Sequence, residues 1–309
     1  MNDKVLSGDK VLSVSNFRKV YGEVVAVSGI SFDVHRGEIF GLLGPNGAGK
    51  TSTLECLEGI RQPDGGSLDV LGVNPTKEPH KLNNLIGVQL QSSGLPAEMT
   101  VDEAMQFFCA YHGVAARHDL LDRLGLGEKR RSRYHELSTG LQRRLALALA
   151  VAHKPPVVIL DEPTAGLDVG SRTELHDLMQ EIKTEGAAIL LATHDMAEAE
   201  KMTDRVAILL NGVIAAVGSP TELTATGSGY TKVSIRTELS RLHDNGAHFP
   251  GVAKQAIKDE YAIYFTTDPG PTVIALLDYV NNSDEKLIDL RVERPSLEER
   301  FLEITQAGE

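Results

Sequence analysis

The stretch Gly44-Pro45-Asn46-Gly47-Ala48-Gly49-Lys50-Thr51 decides how this chain is read. It matches G-x-x-x-x-G-K-[ST] in full and follows the apolar run Ile39-Phe40-Gly41-Leu42-Leu43. That context predicts a strand entering the loop and a helix leaving it. The glycines let backbone N–H groups turn inward around phosphate oxygens. A helix beginning near Lys50 aims the positive end of its dipole at the same anion. Lys50 adds a mobile charge for the β- and γ-phosphates, and Ser52 is counted with the loop. The Thr51 hydroxyl is a hard oxygen donor suited to Mg²⁺. The chain is expected to bind a nucleoside triphosphate.

A second segment completes such a site. Val157-Val158-Ile159-Leu160-Asp161-Glu162 is an apolar strand ending in two carboxylates. Asp161, at the strand tip, can hold Mg²⁺ through water opposite Thr51. Glu162 then faces the γ-phosphate and can polarise an attacking water.

Composition narrows the partners. The net charge of −12 over 309 residues argues against broad binding to DNA or RNA, which needs a basic face. Cys56 and Cys109 cannot build a disulfide framework, so a reducing compartment is expected. The N-terminal residues Met1-Asn2-Asp3-Lys4 lack the apolar core of a signal peptide. No run approaches the roughly 20 apolar residues that span a bilayer. A membrane role would need another chain to supply the passage.

Candidate strands are Val11–Phe17, Ile39–Leu43, Val157–Leu160, Ala188–Thr193 and Val206–Leu210. Several are near-continuously apolar, as buried parallel strands are. Thr100-Val101-Asp102-Glu103 is a capping box before a helix at Ala104–Tyr111. Ser138 opens a helix through His153, stopped by Lys154-Pro155-Pro156. The layout is α/β with a helical insertion between about Pro96 and Leu137. Thr224-Ala-Thr-Gly-Ser-Gly229 reads as a linker. Beyond it, Tyr261–Thr267 and Lys286–Val292 read as strands and Thr272–Val280 as a helix. Ser296-Leu-Glu-Glu299 is a second capping box, after which Leu297, Phe301 and Ile304 share one helical face. Residues 1–223 are expected to form one domain and 224–309 a small α+β appendage.

Leu137-Ser138-Thr139-Gly140-Leu141 ends 20 residues before Asp161. It is similar to the Leu-Ser-Gly-Gly-Gln signature of ATP-binding-cassette (ABC) ATPases. Thr139 replaces a glycine and Leu141 the usual glutamine, while Ser138 and Gly140 remain. Other motifs fall in order. Tyr21 resembles the aromatic that stacks on adenine. Gln91 matches the glutamine of the Q-loop, a role Gln89 could also claim. Ala165-Gly166-Leu167-Asp168 resembles the D-loop, and His194 matches the switch histidine. The resemblance covers about residues 11–223.

The resemblance implies a P-loop NTPase fold with a helical signature subdomain. It implies an ATPase using ATP and Mg²⁺, with Thr51, Asp161 and Gln91 as metal-side residues. Glu162, His194 and Lys50 would be catalytic. Ser138, Gly140 and Asp168 would meet a nucleotide held by another copy, so a head-to-tail homodimer is expected. The basic pair Arg143-Arg144 reads as a solvated or partner-facing helix side rather than a nucleic-acid patch. The tail Arg294-Pro-Ser-Leu-Glu-Glu-Arg-Phe-Leu-Glu-Ile resembles that of exporters of the daunorubicin/doxorubicin-resistance type. The function implied is the peripheral ATPase subunit of a drug exporter, working with a separate membrane permease at the cytoplasmic face. An importer subunit or a non-transport ABC ATPase is the alternative.

Overall fold

The computed structural model describes residues 9–90, 94–225, 229–240, 242, 248–283 and 285–306. The chain divides into two compact units, Met1–Pro220 and Thr221–Glu309.

The first unit opens with β1 (Lys10–Tyr21) and β2 (Val24–His35), antiparallel and joined at Gly22, whose φ is 57°. β3 (Ile39–Leu43) runs into the glycine-rich loop, and α1 (Lys50–Leu57) leaves it. β4 (Gly65–Val70) returns beside β1, giving a three-stranded sheet of order β2-β1-β4. A single turn, α2 (Pro79–Leu82), leads to β5 (Ile86–Gln89).

The helical insertion then holds α3 (Val101–Tyr111) and α4 (His118–Arg123), and leads to α5 (Thr139–Val151). Thr100 caps α3 in a complete capping box: it accepts from the Glu103 N–H, and Glu103 reaches back to the Thr100 N–H at 2.8 Å. Ser138 caps α5 by accepting from the Leu141 N–H at 3.3 Å. β6 (Val157–Asp161), α6 (Val169–Thr184), β7 (Ala188–Thr193), α7 (Met196–Met202), β8 (Arg205–Leu210) and β9 (Val213–Gly218) follow.

The main sheet has the order β5-β6-β7-β3-β8-β9, parallel except for β9. Every residue of β3, β6 and β7 is buried, because helices and the antiparallel sheet cover both faces. Each fully buried Leu, Ile or Val there contributes about 1.5–3 kcal/mol. The loops that follow β3, β6 and β7 therefore leave one rigid edge. β1 also forms where a strand was expected, but its neighbours are antiparallel. Its alternating burial reflects that: Leu12 and Val14 face the core while Ser15 is exposed.

α8 (Pro220–Ala225) crosses the division in sequence. Thr224 and Ala225, expected in a linker, close this helix instead; Pro220, with its fixed φ, suits the first helical turn. Residues 226–228 of that stretch lie outside the described residues. In the second unit, β10 (Thr231–Thr237), β11 (Val252–Lys258), β12 (Tyr261–Thr266) and β13 (Leu287–Glu293) form an antiparallel sheet of order β11-β12-β10-β13. α9 (Pro269–Asn282) packs Leu276 and Val280 against Val233, Ile235 and Tyr264. It starts three residues before the expected Thr272, since Pro269 is tolerated in a first turn that uses no N–H. α10 (Leu297–Gln306) follows the second capping box, with Glu299 N–H donating to Ser296 Oγ at 3.2 Å.

Candidate nucleotide site

The site begins at the end of β3. Gly44 has no room for a side chain: a Cβ would stand 2.3 Å from the Leu209 carbonyl oxygen. Gly49 has φ 105°, and a Cβ there would meet the Ala26 carbonyl oxygen at 2.7 Å. These two constraints press the loop against β2 and β8 and turn it sharply into α1. Lys50 is buried, and its ammonium donates to the carbonyls of Gly44 at 2.6 Å and Pro45 at 3.1 Å. Burial lowers the Lys50 pKa, while the carboxylates Glu162 and Asp161 work to raise it.

Thr51 and Asp161, 110 positions apart in sequence, meet here. Thr51 Oγ1 donates to Asp161 Oδ2 at 3.2 Å. Burial raises the Asp161 pKa, as does Glu162, against the lowering effect of Thr51 and Lys50. A buried carboxylate in that state favours a nearby cation. No group of three or more His, Cys, Asp or Glu among the described residues could hold a metal by itself. One carboxylate and one hydroxyl fit Mg²⁺ shared with phosphate oxygens and water.

Glu162 follows in left-handed backbone, with φ 49°. Its N–H donates to Ala192 O at 2.9 Å, and its carbonyl accepts from Arg143 at 3.1 Å. Glu162 Oε1 lies 2.8 Å from His194 Nδ1. The structure thus brings Lys50, Thr51, Asp161, Glu162 and His194 to one edge of the sheet. Tyr21 stands at the end of β1 with its ring exposed, its hydroxyl 3.3 Å from Ser52 Oγ and the Lys19 ammonium 5.2 Å from the ring centre.

Other expected residues lie apart. Ser138 caps α5, accepting from the Leu141 N–H. Asp168 caps α6, accepting from the N–H and hydroxyl of Ser171, and these bonds hold its carboxyl below the usual range. Gln91 lies outside the described residues. Arg143 and Arg144 are half-buried rather than fully solvated. Arg143 holds the Glu162 carbonyl; Arg144 pairs with Glu174 and donates to Ser171 and to the Leu124 carbonyl.

The fold and this geometry can be set beside known proteins. Residues 27–165 match the family model described as ABC transporter. The Nod factor export ATP-binding protein I of Ralstonia nicotianae is 36% identical over 96% of this chain and 94% of its own length. The chain belongs to the ATP-binding subunits of ABC transporters. The linearmycin resistance ATP-binding protein LnrL of Bacillus subtilis is 31% identical, covering 96% of this chain and 98% of its own. These ABC relatives carry names from export and antibiotic resistance, the branch to which the C-terminal motif pointed. A solved ATP-binding subunit of an ABC transporter superposes with a TM-score of 0.65, at 29% identity, over 69% of this chain and 91% of its own. The subunit cbiO1 of Clostridium perfringens, part of the ABC transporter complex cbiONQ, gives 0.63 at 30% identity, over 71% of this chain and 92% of its own. This ABC subunit is an ATPase that powers a transporter. No helix among its described residues is long and apolar enough to cross a membrane.

Three features escaped the sequence. One is the inward role of Arg143. Another is a buried cluster of Thr164, His176 and Glu198 behind the site. The third is a groove of about 420 Å³ lined by Ile86, Leu95, Phe108, Tyr111 and Leu149. Gln89 lies in its wall, 1% exposed, with neither amide atom hydrogen-bonded. His112 and His153 stack in the same wall with centroids 3.7 Å apart. Burial, then His112, pushes the His153 pKa down to about 4, so the His153 ring is neutral at pH 7.

Proposed function

We propose that this chain is the motor of an exporter, working as a head-to-tail pair with two ATP molecules between the copies. Each ATP would lie on Gly44, Pro45, Asn46, Gly47, Ala48, Gly49, Lys50, Thr51 and Ser52 of one copy, with Tyr21 against the adenine. Ser138 and Gly140 of a second copy would face its γ-phosphate from the N-terminus of α5, with Asp168 beside them. The observation that carries this reading is the meeting of Thr51 with Asp161 at 3.2 Å, beside a Glu162–His194 contact of 2.8 Å.

Glu162 is the group that orients the attacking water, and His194 steadies it at the γ-phosphate side. Lys50 and the α1 N-terminus stabilise charge on the phosphates. Thr51 and Asp161 would hold Mg²⁺, with Gln91 as the further expected ligand, and the ion would supply positive charge to offset that on the phosphate oxygens. Loss of the γ-phosphate removes the contact that joins the copies, and the pair opens. A separate membrane permease converts that motion into passage of a drug or other hydrophobic compound. It docks on the helical insertion, in the groove beside α3; the subunit itself stays peripheral at the cytoplasmic face. Residues 221–309 serve as an accessory domain that holds the pair when the lobes part.

Light scattering on Glu162→Gln with ATP and Mg²⁺ tests the pairing. A dimer that dissociates on removing nucleotide is expected; a strict monomer at high concentration rejects it.

A further inference from the structure

Behind the Glu162–His194 pair lies a hydrogen-bonded cluster that nucleotide binding does not use. Glu198 sits on α7, four residues beyond His194, and is 3% exposed. Its Oε1 accepts from Thr164 Oγ1 at 2.5 Å and lies 3.1 Å from His176 Nε2. Thr164 is two residues beyond Glu162. His176 lies on α6, the helix capped by Asp168. Thr164 and His176 are 3% and 5% exposed, so none of the three can touch a nucleotide directly.

A carboxylate this deeply buried is costly unless it is bonded. Burial works to raise the Glu198 pKa, but hydrogen bonds from His176, Thr164 and Thr193 outweigh it and hold the group ionised. The carboxylate thereby joins the turn after β6 to α6, with Thr193 at the end of β7 beside it. Each turn needs such a hold. Glu162 occupies left-handed backbone, a conformation that persists only where the surroundings over-determine it. On the other side, Asp195 caps α7 by accepting from the Glu198 N–H at 3.0 Å, while its own N–H donates to Thr193 Oγ1 at 3.0 Å. The side chain of Glu198 thus grips the Glu162 turn while its backbone grips the His194 turn.

We propose that Glu198 is a positioning residue: with Thr164 and His176 it sets the spacing of Glu162 and His194 and ties both to the helix that begins at Asp168. This rests on the catalytic reading of Glu162 and His194. Because the cluster lies off the phosphate loop, its loss loosens the water-orienting pair without loosening ATP.

The experiment is ATP hydrolysis by the purified full chain, with kcat expressed per nucleotide-binding site titrated with a fluorescent ATP analogue, so that unfolded molecules are not counted. Glu198→Ala is expected to lower kcat about tenfold or more, since small misplacements of reacting groups are costly. Nucleotide affinity should stay within about twofold, the mark of a group acting on turnover alone. Glu198→Gln should recover most of the rate, because its amide oxygen still accepts from Thr164 and His176. Thr164→Val, which removes one hydroxyl at constant shape, should fall between and carries the test if Glu198→Ala does not fold. An unchanged kcat per site in Thr164→Val and Glu198→Ala, equal losses in the Gln and Ala variants, or a loss lying wholly in affinity would overturn the proposal. Glu162→Gln run alongside separates the two readings. If it is inactive while the Glu198 variants are normal, only the bracket fails. If it is fully active, the catalytic reading fails and takes the bracket with it.

Discussion

His194 Nδ1 lies 2.8 Å from Glu162 Oε1, although the two are 32 residues apart and sit on turns after different strands. Adjacent parallel strands β6 and β7 explain the meeting, since Asp161 is in register with Ala192. Both turns leave the sheet at the same level. The contact brings a carboxylate and an imidazole together on the same edge of the sheet as the phosphate loop.

Replacing Glu162 by Gln keeps the shape but removes the charge proposed to orient the attacking water. Turnover should fall at least about a hundredfold, the usual contribution of general-base catalysis, with ATP still bound. Single-turnover hydrolysis and equilibrium binding check this, and a normal steady-state rate would reject the assignment.

Lys50→Ala removes the only side-chain ammonium bonded to the Gly44 and Pro45 carbonyls among the described residues. ATP affinity should drop at least about tenfold, the loss of one charge-assisted contact of roughly 1.5–3 kcal/mol. Calorimetric titration with ATP and Mg²⁺ measures it; unchanged affinity contradicts the loop's role.

Gly49→Ala tests the loop geometry. Its Cβ would meet backbone at 2.7 Å and force an L residue to φ 105°. A cost of about 1–3 kcal/mol in stability is expected. Urea unfolding should show it together with weakened ATP binding, whereas Gly47→Ala, whose Cβ meets nothing within 4 Å, should strain the backbone alone.

Glu58, at the end of α1, gives a pH signature. Burial, with help from Asp161 and Glu55, pushes its pKa from 4.5 up to about 8. The folded state therefore binds this proton more tightly than the unfolded chain. Its stabilising contribution is complete below about pH 4.5 and is lost as pH rises through about 8. Between those limits stability should fall by up to about 1.4 kcal/mol per pH unit from this group. Glu58→Gln should flatten that slope in nucleotide-free denaturation measured from pH 5 to 9.

Thr100→Ala removes the hydroxyl that accepts from Glu103 N–H and frays the start of α3. A loss of about 1 kcal/mol is expected, read from the shift of the urea midpoint. An unchanged midpoint would mean that α3 is held by its buried Val101 and Met105 alone.

Strands β3 and β7 could be read end to end from sequence, because parallel strands covered on both faces must be apolar throughout. The antiparallel β2 and β4 could not. β2 alternates half-exposed residues with core residues, and β4 begins Gly65-Gly66-Ser67, which reads as a turn. Glu198 shows a different limit. Asp195-Met196-Ala197-Glu198 has the spacing of a capping box, in which the glutamate would reach back to the cap. Here Asp195 does cap Glu198, but Thr193 already satisfies the Asp195 N–H, and Glu198 turns inward to Thr164 and His176. Arg143 likewise looked like a surface charge until the Glu162 carbonyl stood beside it.

The residue types of the phosphate loop, the carboxylates after an apolar strand and the order of the motifs were settled by sequence alone. Each depends on local chemistry: a glycine's backbone freedom, a helix N-terminus, a run of buried side chains. Which side chains meet across 32 to 110 positions was decided only by the register of β3, β6 and β7. Sequence spacing carries no information about such distances, and the register brings Thr51 to Asp161, Glu162 to His194 and Thr164 to Glu198.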